Sequence, residues 1–352
     1  MTIFRGGIDR LIPYGHRAAG IALVVMSSVL MPAARALDHT HLAVIINTLD
    51  PLSVRIGEYY VAQRRISFQN VIKVEFSPGK TVLTREEFEI IKARVDAQTL
   101  PRVQAFALTW AAPYRVECMS ITSAFAFGFN PVFCADGCKI TQPSAYFNSR
   151  STLPFSQLKM RPTMAIAATS FELAKALIDR GVEADGTLPA GTAYLLSTSD
   201  AARNVRSSSY PLAEQLIRGR IFGRTMKQNM VKHATDVLFY FTGLTHVDGL
   251  ETLQFVPGAI ADHLTSAGGN LTDSSQMSAL RWLEAGATGS YGAVVEPCNL
   301  PPKFPSPPLV IGHYLQGETL IEAYWKSVQM PGQGIFIGEP LAAPFRRPAP
   351  ER

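Results

Sequence analysis

Leu42-Ala-Val-Ile-Ile46, followed by Asn47-Thr-Leu-Asp50-Pro51, is the stretch whose reading decides the architecture. The first string is a short continuous apolar run, the signature of a strand buried on both faces. The second supplies a cap, Asp50, and a proline for the first helical turn, so a helix is expected over 51–65. Ile56, Tyr59, Tyr60 and Gln63 stand at helical spacing within it. A second strand is expected over 71–75. Thr84-Arg-Glu-Glu87 is a capping box that opens a helix reaching about Gln98, and 103–109 reads as a third strand. Strand–helix–strand–helix–strand is the pattern of an α/β protein with a mostly parallel sheet, covered by helices on both faces.

Downstream the alternation breaks and resumes. Residues 118–160 are rich in Phe, Ser, Asn and Pro, show no period, and read as a long loop insertion that holds three of the four cysteines. Strands are then expected at 163–169, 193–197, 237–242 and 287–295, with a further one running through Ala261. Helices are expected at 171–180, 212–220, 275–285 and 319–328. The stretch 296–308 carries six prolines in thirteen residues and reads as an extended loop. No fixed-period repeat is present, which excludes solenoids and propellers.

Residues 1–36 read as an address. Arg5, Arg10 and Arg17 precede an apolar run from Ala18 to Leu30, and small residues follow around Ala34-Arg35-Ala36. Positive charge, a short apolar core and small residues describe a secretory signal peptide, and the run is short for a membrane span. The 352-residue chain has 33 Lys+Arg, 28 Asp+Glu and a net charge of +5. Cleavage after Ala36 removes four Arg and one Asp, and the charge falls to +2. No basic stripe remains for nucleic acid, and no stable membrane span is expected after cleavage. The expected organisation is a signal peptide at 1–36, a single α/β domain at 37–345 carrying the 118–160 insertion, and a flexible tail at 346–352. A periplasmic or secreted location follows. Hydrophobic residues make up 47% of the chain and charged ones 17%, too apolar a composition for a disordered polymer.

Export places Cys118, Cys134, Cys138 and Cys298 where disulfides form. Spacing alone leaves all three pairings open. A local staple between Cys134 and Cys138 is the simplest expectation, and it would leave Cys118 for Cys298.

Several common chemistries lack their motifs. Gly79-Lys80-Thr81 resembles the end of a phosphate-binding loop, but Val74 stands where that loop needs its first glycine. No dinucleotide fingerprint follows the first strand, there is no His-Glu-x-x-His, and Thr288-Gly-Ser290-Tyr-Gly292 lacks the first glycine of a nucleophile elbow. No cofactor or metal is expected. What remains is 242–296. There Asp262-His263-Leu-Thr265-Ser266-Ala-Gly268-Gly269 ends an apolar run with small polar residues, where the strand ends of a parallel sheet open on a ligand crevice. Asp262 is a candidate to orient His263, and Thr265 or Ser266 a candidate hydroxyl nucleophile. Gly268, Gly269, Ser290 and Glu296 are candidates to line the crevice. Cys298 is a second candidate nucleophile, with His246 or His263 as its base.

Asn47-Thr-x-Asp50-Pro51-x-Ser53, the string from Pro257 to Gly269, the string from Trp282 to Gly292 with Glu296-Pro-Cys-Asn299, Glu318-Thr-Leu-x-Glu-Ala-Tyr-Trp325 and Gly338-Glu-Pro-Leu-Ala342 resemble an exported, uncharacterised bacterial protein family. That family is similar, distantly, to the gingipain-type, caspase-like cysteine peptidases. The resemblance implies a caspase-like α/β sandwich with a catalytic His after one sheet strand and a Cys after the next. Here 237–242 is followed by Gly243-Leu-Thr-His246, where the peptidases show His directly before Gly, and 262–266 holds no Cys. The resemblance therefore implies the peptidase fold with a degenerate dyad. The expected role is binding or assembly in the cell envelope, with a protein or polymer as partner. The rivals are a peptidase-like hydrolase built on the residues above and a polymer-binding surface on the 118–160 loop.

Overall fold

A computed structural model describes residues 36–135 and 138–347. Residues 1–35 of the expected signal peptide and 348–352 of the expected tail lie outside the described residues. In chain order the first part is β1 (Leu42–Asn47), α1 (Pro51–Arg64), β2 (Val71–Val74), β3 (Val82–Leu83), α2 (Arg85–Gln98) and β4 (Ala105–Leu108). Asp50 accepts from Leu52 N at 2.9 Å and Pro51 fills the first turn, so α1 starts where the capping chemistry puts it. Thr84 and Glu87 form the reciprocal capping box of α2.

The second part follows: β5 (Arg115–Val116), β6 (Met119–Ser120), α3 (Ile121–Phe127), α4 (Pro154–Leu158), β7 (Thr163–Ala165) and α5 (Phe171–Ala184). Next come β8 (Thr192–Leu196), α6 (Tyr210–Ile217), β9 (Phe222–Met226), β10 (Val237–Thr242) and β11 (Phe255–His263). The chain closes with α7 (Leu280–Ala285), β12 (Gly289–Ala293), α8 (Pro307–Leu315), α9 (Leu320–Ser327) and β13 (Gly334–Gly338).

Ten strands make one sheet in the order β2-β1-β4-β7-β13-β12-β11-β10-β8-β9. The run β2-β1-β4-β7 is parallel throughout, as is the run β12-β11-β10-β8-β9. β13 joins the two, antiparallel to β12 and meeting β7 at a single pair, Ile337 opposite Ala165. Tyr114, beyond the end of β4, donates to Asp273, beyond the end of β11, at 2.6 Å, which ties the segment after β4 to the segment after β11. β1, β4, β10 and β12 are buried along their whole length, which explains why β1, β4 and β10 read as continuous apolar runs rather than alternating ones. Helices lie around the sheet, as expected of the α/β class. At β11, for example, one face meets α9 and the other meets α7.

Two stretches differ from expectation. Residues 118–160 are not a structureless insertion, because α3 lies inside the fold with Ile121–Ala126 all buried. The hydroxyls of Ser120 and Ser123 donate to Gly334 O at 2.5 Å and Pro331 O at 2.7 Å, tying the helix to the start of β13. A helix buried all round has no polar face, and so no period to read. Within 296–308, the last two prolines start α8 instead of prolonging a loop. Pro307 takes the first helical position, where a missing N–H costs nothing.

The cysteines pair as Cys118–Cys134 and Cys138–Cys298, with Cα separations of 5.4 and 5.1 Å. The expected 134–138 staple is therefore corrected, and so is Cys118 as the partner of Cys298. Arg346, assigned above to the tail, donates to Leu37 O at 2.7 Å and joins the two ends of the described chain.

Candidate functional site

β10 and β11 deliver their C-terminal residues to the same edge, and the segments that follow them build the site. After Thr242 the chain passes to His246, which is exposed. After His263 the chain arches through 264–279 before α7, and Met277 N donates to Thr245 O at 2.9 Å to hold the arch against the end of β10. The arch is locked by its own side chains. Thr265 Oγ1 and Ala267 N both donate to Gln276 Oε1, at 2.6 and 2.9 Å. Ser274 Oγ donates to Ala267 O at 2.7 Å, and Ser278 Oγ to Leu271 O at 2.8 Å. These local bonds compete with helix formation, so the expected helix at 275–285 begins only at Leu280.

His263 is buried and fully engaged. Its Nδ1 accepts from Trp282 Nε1 at 2.9 Å and its Nε2 lies 3.1 Å from Met277 O. An indole N–H only donates and a carbonyl only accepts, which fixes a neutral ring with the proton on Nε2. Burial lowers its pKa to about 3, with Arg206 and His246 adding smaller pushes in the same direction. No ring nitrogen is left to take a proton from Thr265 or Ser266. Thr265 spends its hydroxyl on Gln276, and Ser266 is half-buried beside it.

Asp262 does not orient His263. Neighbours in a strand point to opposite faces, and Asp262 accepts from Arg206 NH1 at 2.6 Å on the far side of the sheet. Arg206 also donates to Thr242 O at 2.8 Å and Pro305 O at 3.2 Å. Burial pushes the Asp262 carboxyl above its ordinary range while the guanidinium opposes that push.

The crevice expected at the end of β11 and β12 is closed by backbone. Gly269 N donates to Ala293 O at 2.8 Å, and Gly268 O accepts from Ala279 N at 2.7 Å. A Cβ on Gly269 would sit 2.6 Å from Gly292 O and 2.7 Å from Ala293 C. The glycines are there so that two chain segments can touch. Ser290 is fully buried within β12. Glu296 is exposed and accepts from Cys298 N at 2.7 Å. Cys298 as a thiolate nucleophile is corrected outright, because its sulfur is bonded to Cys138.

A different opening lies on the outer side of the arch. It is a cleft of about 710 Å³ bounded by Thr169 and Leu173 on one side and by 271–284 on the other. His246, Asp273, Ser274, Arg281 and Glu284 give it polar walls, and Leu271, Met277 and Leu280 its apolar lining. Asp273 is held by the Tyr114 hydroxyl, and Arg281 pairs with Glu284. His246 is the one sequence-selected residue that lines it. Asp273, Arg281, Glu284, the buried Arg206 and the donor Trp282 were not singled out from sequence. The polar string Asn270-Leu-Thr-Asp-Ser-Ser275 was the signal available for the cleft. Among the described residues no group of three His, Cys, Asp or Glu is placed to hold a metal ion, and no helix is long and apolar enough to cross a membrane.

No protein-family model matches the chain, and no curated protein matches it. Among solved structures the chain is similar to the complex of Porphyromonas gingivalis RgpB pro- and mature domains. The identity is 10% and the TM-score 0.41, over 86% of this chain and 79% of that one.

Proposed function

We propose that this is an exported α/β protein of caspase-like ancestry with a degenerate dyad, which binds a protein or polymer ligand in the cell envelope at the cleft beside His246. The observation that carries the non-catalytic reading is the state of His263, buried with both nitrogens engaged. A general base needs a free lone pair within reach of the proton it takes, and this imidazole has none. The disulfide at Cys298 removes the other nucleophile. Two disulfides fit an oxidising compartment, which supports the export reading. The cleft supports the binding reading, since it combines an apolar lining with a few fixed polar groups, as ligand sites do.

The test uses the protein from residue 37 onward. Incubation with fluorophosphonate and thiol-reactive probes should give no saturable labelling. Saturable labelling at Thr265 or Ser266, lost in His246→Ala or His263→Ala while the circular dichroism spectrum is kept, would establish the hydrolase instead. In parallel, a peptide and glycan array read with wild type and with Asp273→Ala/Arg281→Ala should show binding that falls about tenfold in the variant, the worth of one or two good polar contacts. Binding that survives the double substitution would remove the cleft from the proposal.

A further inference from the structure

β9 is the last strand of the sheet, paired with β8 on one side only. Phe222 N donates to Gly191 O and Met226 O accepts from Ser197 N, so residues 222, 224 and 226 spend their backbone groups on β8. In a parallel ladder the alternate residues, Gly223 and Thr225, then turn theirs outward. One of these is already occupied: Thr225 N donates to Glu214 Oε1, a side chain of α6, at 2.9 Å. The chain thus plugs its own edge with a carboxylate and leaves the remaining outward groups without a strand.

The surroundings are basic and partly apolar. Arg218, Arg220, Arg224 and Lys227 are all exposed, and the segment 218–227 contains no acid. Among the described residues none of the four makes an ion pair, and Arg224 lies over the exposed Phe222 ring at 5.2 Å. Two acids stand close by: Glu214, bonded to Thr225 N, and Asp236, held by Thr192 and Tyr194 and within electrostatic reach of Arg224. Phe222 is 61% exposed, and Leu212 and Leu216 of α6, the helix packed on β9, are 52% and 44% exposed. Long exposed edges are normally blunted by charge or cover. Here the charge carried by 218–227 itself is of one sign, and the cover is a single acidic side chain that an incoming strand can replace.

We propose that β9 is a docking edge for an acidic, extended segment of a partner protein, which adds as an eleventh strand and displaces Glu214 from Thr225. Charge selects the occupant. A second copy would bring Arg218, Arg220 and Arg224 against themselves, whereas an acidic strand pairs with them. Strand addition also satisfies the outward backbone groups, which a lipid headgroup layer would leave unpaired. The site is separate from the cleft and stands whether or not the cleft binds a ligand.

The experiment is fluorescence anisotropy with the protein from residue 37 onward. The probe is a labelled peptide of about ten residues alternating Glu with Val and Thr, and its control carries Lys in place of Glu. The acidic peptide should bind and weaken with salt, and the basic one should not bind. Arg220→Glu/Arg224→Glu should lower affinity at least about tenfold, and Glu214→Ala should raise it about threefold by freeing the Thr225 N–H and removing a like charge. Thr225→Pro deletes an outward N–H together with its exposed bond to Glu214, and should abolish binding while costing the fold no more than that one hydrogen bond. Equal binding of both peptides, or indifference to the arginine reversal, would overturn the proposal. So would a dimer in sedimentation that Thr225→Pro dissolves, or an affinity for anionic lipid vesicles that Thr225→Pro leaves intact.

Discussion

At the scale of single residues, His263 shows how a histidine beside an aspartate, with hydroxyls two and three positions on, can be structural. Its ordinary pKa is 6.5 and in the folded chain it is about 3. The unfolded state therefore binds the extra proton between those values. Stability from this residue is complete above pH 6.5 and drains away as pH falls toward 3. The drop should amount to several kcal/mol at full development, at about 1.4 kcal/mol per unit. Urea denaturation across pH 4–7 checks it, and His263→Gln should flatten that slope. Trp282→Phe leaves His263 Nδ1 a buried acceptor without a donor. We expect a loss of about 1–3 kcal/mol by chemical denaturation. Sequence could bring His263 to notice but could not decide its role. The deciding groups, Trp282 Nε1 and Met277 O, sit 19 and 14 residues away.

At the scale of elements, legibility followed burial pattern and cap chemistry. β1, α1 and α2 were readable because Asp50, Pro51, Thr84 and Glu87 act locally. α3 was not, since its polar Ser120, Thr122 and Ser123 face Pro331 and Gly334 and not water. β13 is five residues bracketed by glycines, and its place between β7 and β12 depends on partners that no local pattern announces. The glycine pair at 268–269 was read as an opening and is a seal. Gly292→Ala would push a Cβ into the backbone of Gly268 and Gly269, which cannot yield as a flexible side chain would. Such overpacking should cost at least about 2 kcal/mol, measurable as a shift in the denaturation midpoint. It should also loosen 264–279, raising hydrogen exchange there before the rest of the sheet.

At the scale of the whole molecule, a few long-range ties hold distant segments. Arg64, at the end of α1, donates to Glu339 Oε1 at 2.9 Å just past β13, and also reaches Asp185 at the end of α5. Glu339 is fully buried, so Arg64→Ala strands a carboxylate; breaking such a pair costs about 3–5 kcal/mol. The paired removal Arg64→Leu/Glu339→Leu should recover much of that loss in the same denaturation assay. The α/β class was legible because it follows from strand–helix alternation alone. The ten-strand order was not, since it depends on pairings such as β13 with β12 that join segments far apart in sequence.

The Cys138–Cys298 bond spans 160 residues, whereas Cys118–Cys134 spans 16. On a chain made from its N-terminus, three thiols therefore emerge together long before the fourth. During that interval Cys138 has no native partner and can only wait or pair wrongly with Cys118 or Cys134. Correct maturation is then a question of timing: oxidation that outruns synthesis should trap mispaired chains, and a disulfide-exchange catalyst should raise the yield of native protein. Cys138→Ser/Cys298→Ser should abolish that dependence while lowering stability by about 2–5 kcal/mol.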